Sequence, residues 1–387
     1  MPRKDIFLFC VHPYPLAIYY SIAKIISANR KYRTCLIFVK HPYFEVLDYH
    51  KFLDIFDEIY YLEWVDYNKN IFQTFFKGRK YKKALKKINL DNLYLALTIS
   101  YSDLPTVLFC KYVKSTNKNN RLIHLTVYGN FLDLTGSKFN PINTFFNWLN
   151  LIPLNGYLLL SYFDSLKVLK ERIYLNDPHD NTYLIASESN LVKSDFIKIP
   201  FPLLQTSKVL NNEKWVIFFG DNTFIKYYKL NKENYYRTIK NFLMDLVEHY
   251  SRVPGNKVVV FYRPHPLDTP KINVEINSEG LTLFDQKITA EMIFSLYSEK
   301  IVATYSVSST AGITSSHFGI PTYMLYKRVD FTDEVVNRFK THFRSANTDV
   351  SLEVNNSTDI GSIDSAKQNI DIQSNNIQWQ NFIGNFE

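Results

Sequence analysis

Lys257-Val258-Val259-Val260-Phe261-Tyr262-Arg263-Pro264-His265-Pro266 and, about forty residues later, Ile301-Val302-Ala303-Thr304-Tyr305-Ser306-Val307-Ser308-Ser309-Thr310-Ala311-Gly312 decide how this chain folds. Each begins as a short apolar, β-branched run with no polar alternation, the pattern of a strand buried on both faces. Each then changes abruptly. The first strand runs into prolines on both sides of His265, and the second into hydroxyl residues at an expected helix start. Open α/β sheets bind ligands outside the carboxyl ends of their strands, so two such ends point to one cleft.

The same rhythm extends outward. Upstream, Trp215 to Phe219 is an apolar strand ending at Gly220-Asp221-Asn222, and a helix of aromatic and charged periodicity spans about Asn231 to Tyr250. Leu281 to Phe284, the helix-like Thr289 to Tyr297, a helix from Ser309 to Phe318 and the strand Thr322 to Tyr326 complete a Rossmann-like unit. The first half alternates similarly: strands at Ile6 to Val11, Thr34 to Lys40, Glu58 to Leu62, Leu93 to Ile99, Arg121 to Val127 and Gly156 to Leu160, with helices near Leu16 to Asn29 and Phe44 to Leu53 and after Leu104-Pro105. Lys198-Ile199-Pro200-Phe201-Pro202 and the polar residues after it form a linker.

The expected organisation is an acceptor-side domain over 1–197, a linker over 198–213, a nucleotide-sugar-binding domain over 214–344 and a polar tail over 345–387. Trp379 and Phe382 are isolated apolar anchors in that tail. Two Rossmann-like domains whose parallel sheets face a central cleft describe the α/β arrangement called GT-B. At 387 residues the chain is long enough for two cores.

Composition narrows the function. The net charge of +8 suits an anionic partner. Its densest cluster, Lys77, Arg79, Lys80, Lys82, Lys83, Lys86 and Lys87, shares a helical segment with Phe75, Phe76, Tyr81 and Leu85. Residues 77–87 are therefore either a solvated helix face or a patch for anionic lipid headgroups. No nucleic-acid-binding signature accompanies the charge, so no nucleic-acid partner is expected. The 28 tyrosines and 30 phenylalanines fit an AT-rich coding sequence or an aromatic surface. Cys10, Cys35 and Cys110 have no Cys-x-x-Cys spacing and fit buried free thiols in a reducing compartment. Only about six apolar residues separate Asp5 from His12, too few for a signal core or a membrane span, so a cytoplasmic protein, at most peripheral on the inner membrane, is expected.

The motifs supply chemistry for a departing phosphate. Breaking a sugar–phosphate bond requires cations and hydrogen-bond donors aimed at the charge that develops. Arg263 and His265 are candidate donors, with Pro266 holding the imidazole at the strand end. Ser308, Ser309 and Thr310 coincide with a helix N-terminus, where free N–H groups and the dipole favour an anion; a simple serine N-cap is the alternative. Glu291, in Ile288-Thr289-Ala290-Glu291-Met292, fits either a ribose-binding carboxylate or a first-turn acid complementing the dipole. Gly220 joins the donor-side group. No Asp-x-Asp, His-Glu-x-x-His or Cys/His cluster calls for a metal, and no P-loop or dinucleotide fingerprint is present.

These residues resemble the bacterial sialyltransferases and related CMP-sugar transferases of capsule and lipooligosaccharide synthesis, through His265-Pro266, Ser308-Ser309 and Ala290-Glu291. The resemblance covers roughly residues 215–330 and rests more on motif order than on any single motif. It implies a metal-independent, inverting transfer of an acidic sugar from a CMP donor to a glycan hydroxyl. It also implies that His265 and the serines contact the phosphate and Glu291 the ribose, with no cofactor besides the CMP-sugar co-substrate. One family feature is missing: where an acidic-acidic-Gly motif would supply the general base, this chain reads Thr126-Val127-Tyr128-Gly129-Asn130. Asp133 and Asp103 are the replacement candidates, and His12 could line the acceptor side. Without a base, a retaining Kdo-type enzyme or a non-catalytic glycan-binding subunit becomes the alternative. The CDP-glycerol-type transferases also join a His-Pro motif to a Tyr-Ser-Ser motif, usually with an Asp before it, whereas here Ala303-Thr304 precede Tyr305.

Overall fold

The computed structural model describes residues 3–65, 79–99, 104–126, 180–185, 197–202, 213–252, 257–265, 280–345, 351–353 and 372–386. The first sheet holds β1 (Lys4–Cys10), β2 (Tyr32–Lys40), β3 (Glu58–Glu63), β4 (Leu93–Thr98), β5 (Leu122–Thr126), β6 (Asn181–Ile185) and β7 (Ile197–Ile199). Its seven strands lie in the order β3-β2-β1-β4-β5-β6-β7. The second sheet holds β8 (Glu213–Phe219), β9 (Lys257–Arg263), β10 (Leu281–Leu283), β11 (Ile301–Ser306), β12 (Thr322–Met324) and β13 (Ser351–Glu353). Its six strands lie in the order β10-β9-β8-β11-β12-β13. Every pairing is parallel.

Both orders reverse beside the first strand of the sheet. Chain leaving β1 and β4, or β8 and β11, therefore departs toward opposite faces, and the parting opens a crevice at the carboxyl ends. The continuous apolar runs explain the parallel pairing: Ile6 to Cys10 and Val216 to Phe218 are all inaccessible to solvent.

Helices α1 (Pro13–Ser27), α2 (Leu104–Thr116), α3 (Lys232–Ser251), α4 (Ala290–Tyr297), α5 (Thr310–His317), α6 (Asp333–Ser345) and α7 (Ile372–Gly384) complete the architecture. Starts are chemically marked. Pro13 and Pro15 pre-set the first turn of α1, and the Asn231 side chain accepts from the Asn234 N–H at α3.

α1 and α4 join the halves through one apolar cluster containing Leu16, Ile22, Met292 and Phe294. The Asp48 N–H donates to the Lys287 carbonyl across the same boundary (2.9 Å). The linker is tied to both sides: Phe201 stacks on His317 at the end of α5 (5.1 Å, 10°), and the Trp379 Nε1–H donates to the Pro200 carbonyl (2.9 Å).

The polar stretch after residue 345 docks at its end, where the apolar anchors Trp379 and Phe382 lie. It adds β13 to the second sheet and then forms α7, which returns to the first half, with Trp379 wholly buried and Tyr94 Oη donating to the Ile383 carbonyl (2.8 Å). The helix expected near Phe44 to Leu53 is instead two short 3₁₀ turns, Pro42–Val46 and His50–Phe52. The strand expected at Gly156 to Leu160 lies outside the described residues. Residues 79–85 are helical, with Tyr81 and Leu85 buried in the first domain and Arg79, Lys80 and Lys83 exposed. The apolar side of that basic segment is thus used internally. Among the described residues, no helix is long and apolar enough to cross a membrane. All three cysteines are free and buried, and desolvation pushes the Cys35 thiol up to about 12.

His317 provides a pH test of the linker contact. Burial lowers its pKa from 6.5 to about 4, so the unfolded chain takes up this proton before the folded one. Its contribution is complete above about pH 6.5 and is lost as pH falls toward 4, a change of the order of 3 kcal/mol. Urea unfolding from pH 7 to 4 should show that loss, and His317→Gln should flatten it; an unchanged slope in the variant contradicts the assignment.

Candidate active site

Chain at or after the ends of six strands builds a single cleft of about 480 Å³. After β1 come His12, Pro13 and Tyr14; Leu47 comes from the 3₁₀ region after β2; Asp221 follows β8, and Arg263 and His265 end β9. Thr289, Ala290 and Glu291 open α4, while Ser308, Ser309 and Ala311 surround the start of α5 after β11. His265, Glu291, Ser308 and Ser309, separated by up to 44 residues, therefore share one cavity.

Two helix N-termini point into this arrangement. Thr289 caps α4 with Oγ1 accepting from the Met292 N–H (3.2 Å), and Ser309 caps α5 with Oγ accepting from the Ala311 N–H (3.2 Å). The tip of α5 is fixed from below by a buried hydroxyl seam. Thr304 Oγ1 bonds Ser315 Oγ (2.9 Å) and Thr322 Oγ1 (3.1 Å), and Ser315 Oγ also donates to the Gly312 carbonyl (2.8 Å). Gly312 is closely packed: a Cβ there would stand 2.3 Å from Met324 Cε and 2.7 Å from Thr322 Cγ2, so a larger residue requires those side chains to shift.

Arg263 does different work from that expected of a phosphate donor. It is 5% exposed, and Nε (3.2 Å) and Nη2 (2.6 Å) both donate to the Ile288 carbonyl, with Nη2 also reaching the Gln286 carbonyl (3.4 Å). The guanidinium lines the cleft while clamping the backbone that carries Thr289 and Glu291. Burial raises the Glu291 carboxyl pKa, opposed by its own backbone N–H, the Arg263 charge and the Thr289 hydroxyl. Burial likewise lowers the His265 pKa, with Asp221 acting in the opposite direction and Arg263 reinforcing the fall. A neutral imidazole thus sits where it can donate one N–H to an incoming anion.

Gly220 directly precedes Asp221 at the end of β8 and is itself absent from the described lining. A Cβ there would stand 2.1 Å from Tyr262 Oη, so packing against the neighbouring strand explains the glycine. Thr310 starts α5, and its side chain lies outside the described residues. Asp103, Asp133 and Pro266 also lie outside them. Asp221, Tyr14 and Leu47 were missed; Asp221 directly follows a recognised strand end, which is the signal that marks it. Its Oδ1 accepts from the Thr223 N–H (3.0 Å), and its carbonyl accepts from Tyr235 Oη (2.8 Å). Among the described residues, no group of three His, Cys, Asp or Glu side chains is placed to hold a metal ion.

Replacing Arg263 by Met should release the 286–288 backbone and lower the unfolding free energy by about 2–3 kcal/mol, the scale of hydrogen bonds to a charged group. Arg263→Lys keeps the charge without the fork and should recover less than half of it. Urea denaturation measures both, and a Met variant as stable as wild type contradicts the clamp.

No protein-family model matches the chain, and no curated protein matches it in sequence. Solved structures do match. UDP-GlcNAc 2-epimerase from Methanocaldococcus jannaschii superposes with a TM-score of 0.54 at 10% identity, covering 98% of this chain and 99% of that one. The Listeria monocytogenes protein assigned as a UDP-N-acetylglucosamine 2-epimerase gives 0.51 at 9% identity, covering 100% and 97%. Medicago truncatula UGT71G1, complexed with UDP-glucose, gives 0.49 at 10% identity over 99% and 98%. With two parallel-sheet α/β domains and a cleft at their carboxyl ends, the chain has the GT-B fold.

Proposed function

We propose that this protein is a metal-independent glycosyltransferase that moves an acidic sugar of the sialic acid type from a CMP-activated donor to a glycan hydroxyl, working in the cytoplasm. The observation that carries this reading is the meeting of His265, Ser308, Ser309 and Glu291 in one cleft. The leaving group is a nucleoside monophosphate. One helix N-terminus with two hydroxyls and one imidazole N–H suit one phosphate, and Arg263, with Nε and Nη2 committed to backbone carbonyls, adds a nearby positive field. Glu291, at the first turn of α4, is the acceptor for ribose hydroxyls. The acceptor glycan enters from the side of His12 and Tyr14, and the exposed cations of residues 79–87 are the surface that would meet an anionic membrane or lipid-linked acceptor.

A UDP-sugar donor is the second reading, favoured by the overall likeness to the M. jannaschii epimerase. A diphosphate brings more charge to the same cleft and demands additional donors. The paucity of uncommitted cations among the described lining favours the monophosphate.

A thermal-shift panel with CMP, CDP, UDP and GDP separates the readings, because a ligand of the native state alone raises its stability by about 2.7 kcal/mol at 100 times its Kd. CMP should stabilise selectively, and CMP-sialic acid with a glycan acceptor should release CMP. Stabilisation by UDP with turnover of a UDP-sugar supports the second reading, and no response to any nucleotide contradicts both. Bound phosphate opposes desolvation at His265 and favours imidazolium, so binding takes up a proton. CMP affinity should therefore rise as pH falls from 8 toward 6.5, and His265→Asn should remove that dependence.

A further inference from the structure

We propose that His12 is the proton acceptor for the attacking hydroxyl, held in place by His41 and Trp64; this rests on the transferase reading above. His12 follows β1 at the strand-order reversal of the first sheet and lines the cleft that also holds His265 and Ser308. It faces the donor-side groups from the other domain, where an acceptor must lie for attack opposite the departing phosphate. Among the described residues that the first half contributes to the lining, His12 and Tyr14 alone are titratable, and of the two side-chain types an imidazole is the usual proton acceptor at neutral pH.

The local structure fixes the ring. His12 precedes Pro13 and takes the extended conformation that a following proline imposes (φ −132°, ψ 158°). Its ring centroid lies 4.5 Å from that of His41 and 6.0 Å from Trp64, while His41 and Trp64 meet edge to face at 4.3 Å. These side chains come from beyond three adjacent strands, β1, β2 and β3. The Cys10 thiol donates to the His12 carbonyl (3.3 Å), anchoring the backbone at the turn.

His12 is also the N-cap of the 15-residue α1, so its ring stands at the start of that helix with a second imidazole beside it. The charged and titratable groups around it are His41 and Cys10 on its own domain, and Asp221, Arg263, His265 and Glu291 across the cleft. In the step, the acceptor oxygen forms a bond to the anomeric carbon as the bond from that carbon to phosphate oxygen breaks. The bonding pair leaves with the nucleotide, the acceptor hydroxyl proton passes to the His12 imidazole, and solvent later removes it.

The test compares wild type, His12→Asn and His41→Asn in the full chain, with CMP-sialic acid and a glycan acceptor. His12→Asn should lower kcat/KM by about 10²- to 10⁴-fold and abolish the acidic limb of its pH profile, while the thermal shift induced by CMP stays unchanged. His41→Asn removes a neighbouring positive charge whenever His41 is protonated, so it should move that limb to higher pH. This second variant keeps the test decisive if His12→Asn folds poorly. A His12→Asn enzyme within threefold of wild type with its acidic limb intact, or a His41→Asn profile unmoved, overturns the assignment while leaving the transferase reading standing. Loss of the CMP shift in His12→Asn also overturns it, because His12 would then belong to the donor side. A wild-type chain that neither binds nor turns over any nucleotide sugar brings down both.

Discussion

The reversal of strand order beside β1 and beside β8 is the constraint on which everything else depends. It separates the loops at the carboxyl ends of each sheet and leaves backbone N–H groups and short polar side chains exposed where strands stop. Packing of α1 on α4, the Asp48 to Lys287 bond and the return of α7 to the first domain hold the two halves around these ends. The cleft follows from topology; the residues that occupy it give it chemistry.

Charge in the cleft is sparse and closely placed. Desolvation pushes both His265 and Glu291 toward their neutral forms, so the resting site contains few mobile charges and relies on oriented dipoles at the tips of α4 and α5. Arg263 is the structural counterpart of that economy. Its buried cation satisfies the Gln286 and Ile288 carbonyls of a turn that the Asp48 N–H and the Asp285 side chain also hold, and so ties the start of α4 to the end of β9. An arrangement of dipoles already oriented before the ligand arrives needs little reorganisation when phosphate charge develops.

Much of this was legible because it was local. The strand ending at Arg263 and the hydroxyl cluster at Ser308 and Ser309 are runs of adjacent residues, and their periodicity and helix-start chemistry do not depend on distant partners. What escaped the sequence was set by tertiary contacts. Arg263 reads as a phosphate ligand until its carbonyl partners, 23 and 25 residues away, are seen. Gly220 reads as one of the donor-side residues, and its packing against Tyr262, a second reason for a glycine there, carries no sequence signal. α7 is rich in Asn and Gln, and packing of Trp379 and Phe382 against the first domain turns an apparently polar tail into a docked helix with one buried side. β6, β7 and β13 are three to five residues long and carry too little pattern to stand out. The His12, His41 and Trp64 cluster joins positions 29 and 23 residues apart, a spacing that carries no local signal.

The central claim is that the His265 imidazole and the capped tip of α5 hold the same nucleotide phosphate. Calorimetric titration of CMP into wild type, His265→Asn, Ser309→Ala and the double variant measures it most directly. Two groups on one phosphate should be coupled, so the double variant should lose less affinity than the sum of the single losses, by about 1 kcal/mol. Losses that add to within about 0.3 kcal/mol, as expected for independent sites, or variants that bind CMP as wild type does, would contradict it.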